Sequence, residues 1–256
     1  MIKLLKSIYF PIKFRYQKLC FFLTVNWVKT LYFNFKMLPF HTAKKLPFFF
    51  YGKVKLSCLK GRVHIDGPIT MAMIGFGQNY EMITKFSETS ELNIQGEITF
   101  KGHMQFGKNY FVYVTPDGVC EFGHMASLAS NGKIICTNSV VLGTYARLGS
   151  ECQIIDTNFH QLKDTITGEI YPKSQPIKIG DYNFISNRVS VLSKTVTPNN
   201  CIIASNSVCS KNYTQLGEHI LIGGMPAKLI KEHISRDWEA EKERMELHLI
   251  KQYIFK

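Results

Sequence analysis

The sequence predicts a parallel β-solenoid flanked by helical segments. Between residues 177 and 231, apolar or small side chains recur at every sixth position. A period of six fits neither the 3.6-residue turn of an α-helix nor the simple alternation of one strand. It is typical of a solenoid in which each short face carries one inward side chain beside a tight corner. The inward positions are Ile179, Ile185, Val191, Thr197, Ile203 and Cys209, and Thr197 is the exception to their apolar character.

Small residues mark the corners of this predicted solenoid. The residue after an inward position is mostly small, because a corner leaves no room for a bulky side chain. These small residues are Gly180, Ser186, Ala204 and Ser210. The same step from an apolar residue to glycine occurs earlier in the chain, at Phe106-Gly107, Phe122-Gly123, Leu142-Gly143 and Leu148-Gly149. We therefore expect the solenoid to occupy residues 61–231.

One corner in the middle of the solenoid is predicted to be irregular. Ile134 and Leu142 are eight residues apart instead of six. A two-residue insertion near Cys136 accounts for this difference.

The repeat ends in a Gly-x-Pro-Ala-Lys segment, which reads IGGMPAKLIK at residues 222–231. With this closing segment, residues 65–231 resemble the hexapeptide-repeat acyltransferases, and most closely the branch that acetylates sugars of bacterial surface polysaccharides. The resemblance implies a left-handed parallel β-helix with three hexapeptides per coil. It also implies an acetyltransferase that uses acetyl-CoA and works as a homotrimer.

The positive charge of the chain is concentrated at its N-terminus. The formal net charge is +12, and residues 1–62 contain thirteen lysines and arginines and no acidic residue. The remaining eighteen basic residues face nineteen acidic ones, so the predicted solenoid is near neutral. A protein that follows a nucleic-acid backbone carries a basic stripe along its body. We therefore expect no nucleic-acid partner.

Residues 1–60 form a basic, aromatic arm that we expect to be helical. Its apolar run lacks the ~20 uninterrupted apolar residues of a membrane-spanning helix, because Asn26, Lys29 and Asn34 interrupt it. One hypothesis is that the arm lies at an anionic membrane surface, with rings in the headgroup region and lysines against anionic lipid. The alternatives are that the rings only pack on the first coil and a neighbouring subunit, or that the arm is a true membrane span. These rings belong to Trp27, Tyr32, Phe33 and Phe35.

The seven cysteines occur singly, without any C-x-x-C pair. An odd number of isolated cysteines is typical of small apolar side chains in a reducing compartment. Metal sites usually need paired spacings of ligands, so we expect no bound metal. We expect a cytoplasmic protein, held peripherally at the inner face of the cytoplasmic membrane if the arm binds lipid.

One long loop interrupts the repeat, and such a loop in a regular solenoid is more often functional than accidental. The sequence IIDTNFH, which ends at His160, stands at its start. It resembles the Asp-x-Asp-x-His segment of the sugar O-acetyltransferases, with Asn158 where the second aspartate is usual. The resemblance implies a catalytic site of His160, Asp156 and Asn158, with an active-site loop at residues 160–177.

Imidazole suits this chemistry. Acyl transfer from a thioester needs a base that takes a proton from the attacking sugar hydroxyl, and neutral imidazole does so near neutral pH. Either Asp156 or a backbone carbonyl could hold the other ring nitrogen of His160. Asn158 can hold a substrate hydroxyl or orient the loop, but an amide does not accept a proton.

For the donor, the family resemblance implies acetyl-CoA bound in a groove between two solenoids. Lysine ammonium groups can pair with the phosphates of coenzyme A as point charges. The alternative interpretation is that the lysines at the matching positions are ordinary surface charges. The matching positions are Asn187, Ser205, Ser210, Lys211, Lys228 and Lys231.

Residues 232–256 predict a C-terminal helix. Its apolar side chains can share one face, and the charged residues from Glu239 to Glu246 then form a solvated face. The apolar side chains are Ile234, Trp238, Met245, Leu249 and Tyr253.

Three functions remain open. The first is acetyl transfer to a hydroxyl of a sugar in a surface polysaccharide or its lipid-linked precursor. The second keeps the enzyme class and changes the acceptor to an amino sugar, a serine or a small xenobiotic. The third is a catalytically silent solenoid that serves as a scaffold. A zinc hydratase is disfavoured, because it needs a histidine triad on neighbouring coils and no second histidine lies near His160 in the repeat.

Overall fold

The computed structural model describes residues 15–16, 18–79 and 88–250, and most of them form a parallel β-helix with three sheets. Parallel strands that are adjacent in a sheet are one coil apart in the chain, and in the last coils the third sheet continues only as single bridges at Val196 and Asn212. We call the sheets face 1, face 2 and face 3. The predicted fold class, a left-handed parallel β-helix with helical ends, is confirmed.

The strands are numbered in chain order. Face 1 contains β1 (Phe48–Phe50), β4 (Ile74–Phe76), β7 (Met104–Phe106), β10 (Ala126–Leu128), β13 (Arg147–Leu148), β18 (Phe184–Ile185), β20 (Cys201–Ile203), β22 (Ile220–Gly223) and, antiparallel at its end, β23 (Lys228–Lys231). Face 2 contains β2 (Val54–Leu59), β5 (Ser90–Ile94), β8 (Phe111–Val114), β11 (Lys133–Cys136), β14 (Gln153–Ile155), β19 (Ser190–Leu192) and β21 (Val208–Cys209). Face 3 contains β3 (Arg62–Ile65), β6 (Glu97–Phe100), β9 (Val119–Phe122), β12 (Ser139–Leu142) and β17 (Ile177–Ile179).

Outside the three faces, the described residues form helical segments and one hairpin. The helices are α1 (Trp27–Met37), α2 (Phe40–Ala43) and α3 (Trp238–Leu249), and residues 18–24 and a short 3-10 turn (Thr214–Leu216) are also helical. The hairpin pairs β15 (Leu162–Lys163) with β16 (Ile170–Tyr171).

The length of a coil changes along the solenoid. Paired residues are eighteen apart in the last coils, as in Ser190 with Val208. They are twenty to twenty-two apart in the middle coils, as in Lys133 with Gln153 and Glu97 with Val119. They are at least twenty-six apart in the first coils, as in Phe48 with Ile74, and thirty-seven apart where the hairpin is inserted, as in Gln153 with Ser190. A strict six-residue period therefore holds only near the C-terminal end, which is where the sequence shows it.

The predicted inward residues of the repeat all lie in the core. The apolar members are no more than 1% exposed. Thr197, the exception, is 3% exposed, and its hydroxyl oxygen accepts a hydrogen bond from the backbone N–H of Gly180 at 3.0 Å. A buried hydroxyl with a partner avoids the free energy cost of an unsatisfied polar group.

Phenylalanine rings fill the longer coils at the N-terminal end. Phe76 stacks on Phe106 with ring centroids 4.4 Å apart, and on Phe50 with centroids 4.9 Å apart. All three side chains are at most 1% exposed. Later coils use isoleucine, valine and cysteine at the equivalent inward positions, in keeping with their shorter circumference.

A column of glycines forms the corner after face 3, as the sequence predicted for small residues. A Cβ atom on Gly143 would lie 2.6 Å from the carbonyl carbon of Gly180 in the next coil. Because backbone cannot move away cheaply, Gly143→Ala is expected to lower the free energy of unfolding by about 1–3 kcal/mol. Urea denaturation followed by circular dichroism measures this.

A second glycine substitution separates the effect of a steric contact at Gly143 from the effect of an unfavourable backbone conformation. Gly168 in the hairpin has a φ of +77°, but the nearest atom to an added Cβ is the Lys163 Cε at 3.8 Å. Gly168→Ala should cost only the ~1–2 kcal/mol of a left-handed alanine, localised in the hairpin. Equal and global destabilisation by both variants would argue against the corner contact.

The N-terminal arm packs on the first coil, and the solenoid begins inside the segment predicted as the arm. β1 pairs in parallel with β4, so face 1 starts at Phe48 rather than after residue 60. Phe33 of α1 is fully buried and contacts the rings of Phe48 and Phe50 with centroids 5.0 Å away. Helix α1 therefore plugs the open end of the coil stack.

Two buried polar side chains of α1 form hydrogen bonds with the backbone groups at the outer edge of β1. Asn34 donates to the carbonyl of Phe48 at 2.7 Å and accepts from the Phe48 N–H at 3.2 Å. Thr30 accepts from the N–H of Phe50 at 3.1 Å. An unprotected edge strand is a template for unwanted pairing, so α1 closes the edge as well as the core.

Helix α3 covers face 1. Trp238 and Leu249 are buried and Met245 packs against them, as the predicted apolar face requires. Tyr253 lies outside the described residues. The prediction of an entirely solvated charged face is corrected at Glu246, which accepts a hydrogen bond from the hydroxyl of Tyr145 on the solenoid.

All seven cysteines are free, and Cys136, Cys152, Cys201 and Cys209 are buried in the coils. Among the described residues, no helix combines the length and the apolar character needed to cross a membrane.

Candidate active site

The break in the repeat is a hairpin that projects from the corner between face 2 and face 3. It leaves the solenoid after β14, turns between β15 and β16, and returns to β17. An antiparallel bridge between Thr157 and Ser174 closes its base. The N–H of Asn158 also donates to the carbonyl of Lys173 at 3.0 Å. The hairpin is therefore anchored at its base while its two strands stay exposed.

Asp156 is a buried residue at the base of this hairpin. Its side chain is 0% exposed. Its carboxylate accepts from the N–H of Thr137 at 2.8 Å, from the Thr137 hydroxyl at 3.0 Å and from the N–H of Asn138 at 2.7 Å. Its own carbonyl accepts from the N–H of Gln175, on the returning strand, at 2.9 Å. Asp156 thus ties both ends of the hairpin to the preceding coil.

These contacts give Asp156 a structural role that the sequence did not predict. Both carboxylate oxygens are used by Thr137 and Asn138, and neither bonds to His160. The reason is geometric: the side chain of Asp156 points into the corner, whereas His160 lies four residues further, beyond the base of the hairpin. The carboxylate of Asp156 therefore holds the base of the hairpin.

His160 and Asn158 lie together on the exposed part of the hairpin. Both residues are exposed, as is Phe159 between them, whose side chain is 47% accessible. Phe159 has a φ of +58°, and its N–H donates to the Thr157 hydroxyl at 3.0 Å. This turn fixes the backbone just before the imidazole. An accessible imidazole on a fixed backbone can accept a proton from a bound hydroxyl.

The predicted donor residues lie on three different edges of the last coils. Ser210 and Lys211 follow β21 at the corner between face 2 and face 3, the same edge that carries the hairpin. Asn187 and Ser205 lie at the opposite edge of face 2, on successive coils. Lys228 and Lys231 are exposed on the terminal strand β23 of face 1. One chain therefore does not bring all six together.

Individual contacts of these residues differ. The Asn187 side-chain oxygen accepts from the N–H of Ser150 at 3.0 Å, so it also holds a corner. The ammonium of Lys211 stands 5.4 Å from the centre of the Tyr213 ring, a cation–π contact that orients it. Ser205 is exposed and Ser210 is half-buried.

Sequence reasoning missed Thr137, Asn138 and Ser174 as supports of the site. The signal for the first two was the predicted two-residue insertion near Cys136, since Thr137 and Asn138 are the residues between β11 and β12. Ser174 hydrogen bonds to the hydroxyls of both Thr137 and Thr157. Within the described residues, no group of three or more histidine, cysteine, aspartate and glutamate side chains is placed to hold a metal.

The parallel coil stack is the fold that the resemblance to the hexapeptide-repeat acyltransferases implied. No protein-family model matches the chain. A curated relative from Escherichia coli K12, WbbJ, is named as an O-acetyl transferase of lipopolysaccharide biosynthesis. It is 26% identical over 144 residues, which cover 52% of this chain and 67% of WbbJ.

Two solved structures are among those similar to this chain. The polysialic-acid-specific acetyltransferase NeuO is 15% identical, with 79% of this chain and 98% of NeuO covered and a TM-score of 0.49. A hexapeptide-repeat acetyltransferase of Vibrio cholerae, in complex with acetyl coenzyme A, is 17% identical, with 48% and 64% covered and a TM-score of 0.41. The similarity to WbbJ confirms the predicted resemblance and the predicted enzyme class, an acetyltransferase.

Proposed function

We propose that this protein transfers an acetyl group from acetyl-CoA to a sugar hydroxyl of a cell-surface polysaccharide or its lipid-linked precursor, with His160 as the general base. The observation that carries the proposal is the placement of His160: an exposed imidazole on a hairpin whose base is anchored to the coil stack by Asp156. The name of WbbJ supports a sugar acceptor, since it assigns that relative to lipopolysaccharide biosynthesis.

The reaction needs one base and no covalent enzyme intermediate. The imidazole of His160 takes the proton of the acceptor hydroxyl while that oxygen attacks the thioester carbonyl. The carbon–sulfur bond then breaks, and the leaving thiolate of coenzyme A takes the proton back from the imidazolium. The products are the acetyl ester and free coenzyme A. A positioned base of this kind typically accelerates a reaction ~10²–10⁴-fold.

We infer that Asn158 binds the acceptor. It is exposed two residues before His160, on the segment that leads into β15. An amide can donate to one sugar hydroxyl and accept from another. Asn158 would therefore orient the sugar while His160 takes the proton.

The donor site is proposed to form between neighbouring copies in a homotrimer. Ser210 and Lys211 share the hairpin's edge and lie two coils further on, about 10 Å away at ~4.8 Å per strand. Asn187, Ser205, Lys228 and Lys231 lie on other edges, so a groove between two prisms can bring both sets to one coenzyme A. Lysine ammonium groups there would pair with its phosphates.

Release of free thiol from acetyl-CoA tests the proposal. Purified protein is incubated with acetyl-CoA and a panel of oligosaccharide acceptors, with amino sugars and serine included for comparison. We expect acceptor-dependent thiol release and an ester-linked acetyl group on a sugar hydroxyl by mass spectrometry. Binding of acetyl-CoA without turnover on any acceptor would contradict the proposed activity. Acetylation of an amine would show that the acceptor is an amino compound and not a sugar hydroxyl.

A further inference from the structure

The outer side of helix α1 carries an exposed apolar stripe. Val28, Leu31, Tyr32 and Phe35 are spaced i, i+3, i+4 and i+7, so they share one face of the helix. Their exposed fractions are 76%, 44%, 53% and 47%. We call this set the outer stripe. Such a row of accessible large side chains is a surface that normally has a partner.

The direction of the outer stripe follows from the packing of α1. Thr30, Phe33 and Asn34, on the opposite side of the helix, are 0% exposed and contact β1. Because this inner side plugs the end of the coil stack, the outer stripe faces away from the solenoid, at its N-terminal end. The ring of Phe40, 72% exposed and 5.9 Å from the ring of Phe35, extends the same surface.

Only positive charge surrounds the outer stripe within the arm. Lys29 and Lys36 lie on one flank of α1, and Lys44 and Lys45 follow α2 and are exposed. No aspartate or glutamate occurs anywhere in residues 1–62. A second copy of this stripe would bring lysines against lysines, which disfavours self-association through it. An anionic surface satisfies both the rings and the ammonium groups.

We propose that the outer stripe docks the protein on an anionic phospholipid bilayer, with α1 lying in the plane of the interface. Valine, leucine and aromatic side chains of the stripe enter the boundary between headgroups and acyl chains, and the flanking lysines contact anionic headgroups. Each lysine near such a surface strengthens binding roughly fivefold. The further apolar side chains Leu19, Phe22 and Leu23, all at least 49% exposed, lie on the preceding helical turn and can add to the contact.

Docking through the end of the solenoid sets the height of the catalytic hairpin, a consequence that rests on the proposed function. On face 2 the hairpin follows the fifth strand, four strand spacings beyond β2. At ~4.8 Å per spacing, it stands about 19 Å along the axis from the first coil. A sugar chain carried on a membrane lipid could reach a base at that height, whereas the lipid itself would stay in the bilayer.

Vesicle binding by the full-length protein tests the inference. The protein is co-sedimented with phosphatidylcholine vesicles and with mixed phosphatidylcholine–phosphatidylglycerol vesicles, at low and high salt. We expect binding to the mixed vesicles that weakens at high salt. The triple variant V28Q/L31Q/F35Q should bind at least ~10-fold more weakly, and K29Q/K36Q about 10–30-fold more weakly at low salt. The matched single pair is Leu31→Gln against Leu247→Gln, the same substitution at an α3 side chain that is 62% exposed; only the first should reduce binding.

Two controls keep the outcome decisive. The oligomeric mass of each variant is measured by light scattering, and turnover is measured on a water-soluble acceptor, which does not require the bilayer. Unchanged mass and turnover with lost vesicle binding support the inference. If the native protein does not bind the vesicles, or if the variants bind them as strongly as the native protein, the inference is overturned. A smaller oligomer in the triple variant also overturns it and assigns the outer stripe to a contact between copies. Failure of acetyl transfer with intact vesicle binding would refute the proposed function and leave the docking surface in place.

Discussion

Replacing His160 with glutamine is expected to lower kcat for acetyl transfer about 10²–10⁴-fold, while the KM for acetyl-CoA stays nearly unchanged. Glutamine keeps the size and hydrogen-bonding capacity of the side chain but cannot take up a proton. Because His160 is exposed and makes no contact in the core, the variant should fold normally. Thiol release at saturating acetyl-CoA and acceptor measures the effect.

A matched histidine serves as the control. His64 is also exposed, with its side chain 53% accessible on the first strand of face 3. His64→Gln should therefore keep full turnover. If His160→Gln retains the rate of the native protein, the base is another group and the proposed mechanism is wrong. A uniform loss in both variants would point to unfolding, which circular dichroism would reveal.

Asp156→Ala should have the largest effect on stability. The substitution leaves the N–H groups of Thr137 and Asn138 without their acceptor and removes the anchor of the hairpin. We expect the free energy of unfolding to fall by about 2–4 kcal/mol, which lowers the melting temperature by about 5–15 °C. Differential scanning calorimetry measures the shift.

Asp181 provides the comparison for this effect. It accepts from the N–H of Thr144 at 2.7 Å at another corner, but its carboxylate is exposed. Water can replace that acceptor, so Asp181→Ala should cost about 1 kcal/mol or less. A variant at Asp156 that keeps the native melting temperature but loses turnover would restore the idea that its carboxylate acts directly on the imidazole.

The repeat in the last coils was readable because each coil there has eighteen residues. Ile185 pairs with Ile203 and Val191 with Cys209, so the period in the sequence equals the period in space. At the N-terminal end this equality fails. Phe48–Phe50 pairs with Ile74–Phe76, and three consecutive phenylalanines show no alternation that would mark them as a strand. The start of the solenoid is therefore set by contacts between distant segments, which a local pattern does not contain.

The candidate site also combines features that a local sequence pattern shows with contacts that it does not contain. The break in the repeat and the histidine beside it are local features of the sequence. The partners of Asp156 are not, since they lie eighteen and nineteen residues upstream, on the neighbouring coil. An acidic residue near a candidate base suggests an ion pair, and only the direction of the side chain in three dimensions shows that it faces the backbone instead.

The closed base of the hairpin separates the chemistry of the acceptor from the stability of the stack. The bridge between Thr157 and Ser174 brings the chain back to where it departed, so everything between them is added without altering the pitch of the coils. Length and composition beyond the bridge can therefore vary in evolution while the scaffold stays constant. Under the proposed function, grafting a foreign hairpin at these two residues is expected to change which acceptor is acetylated.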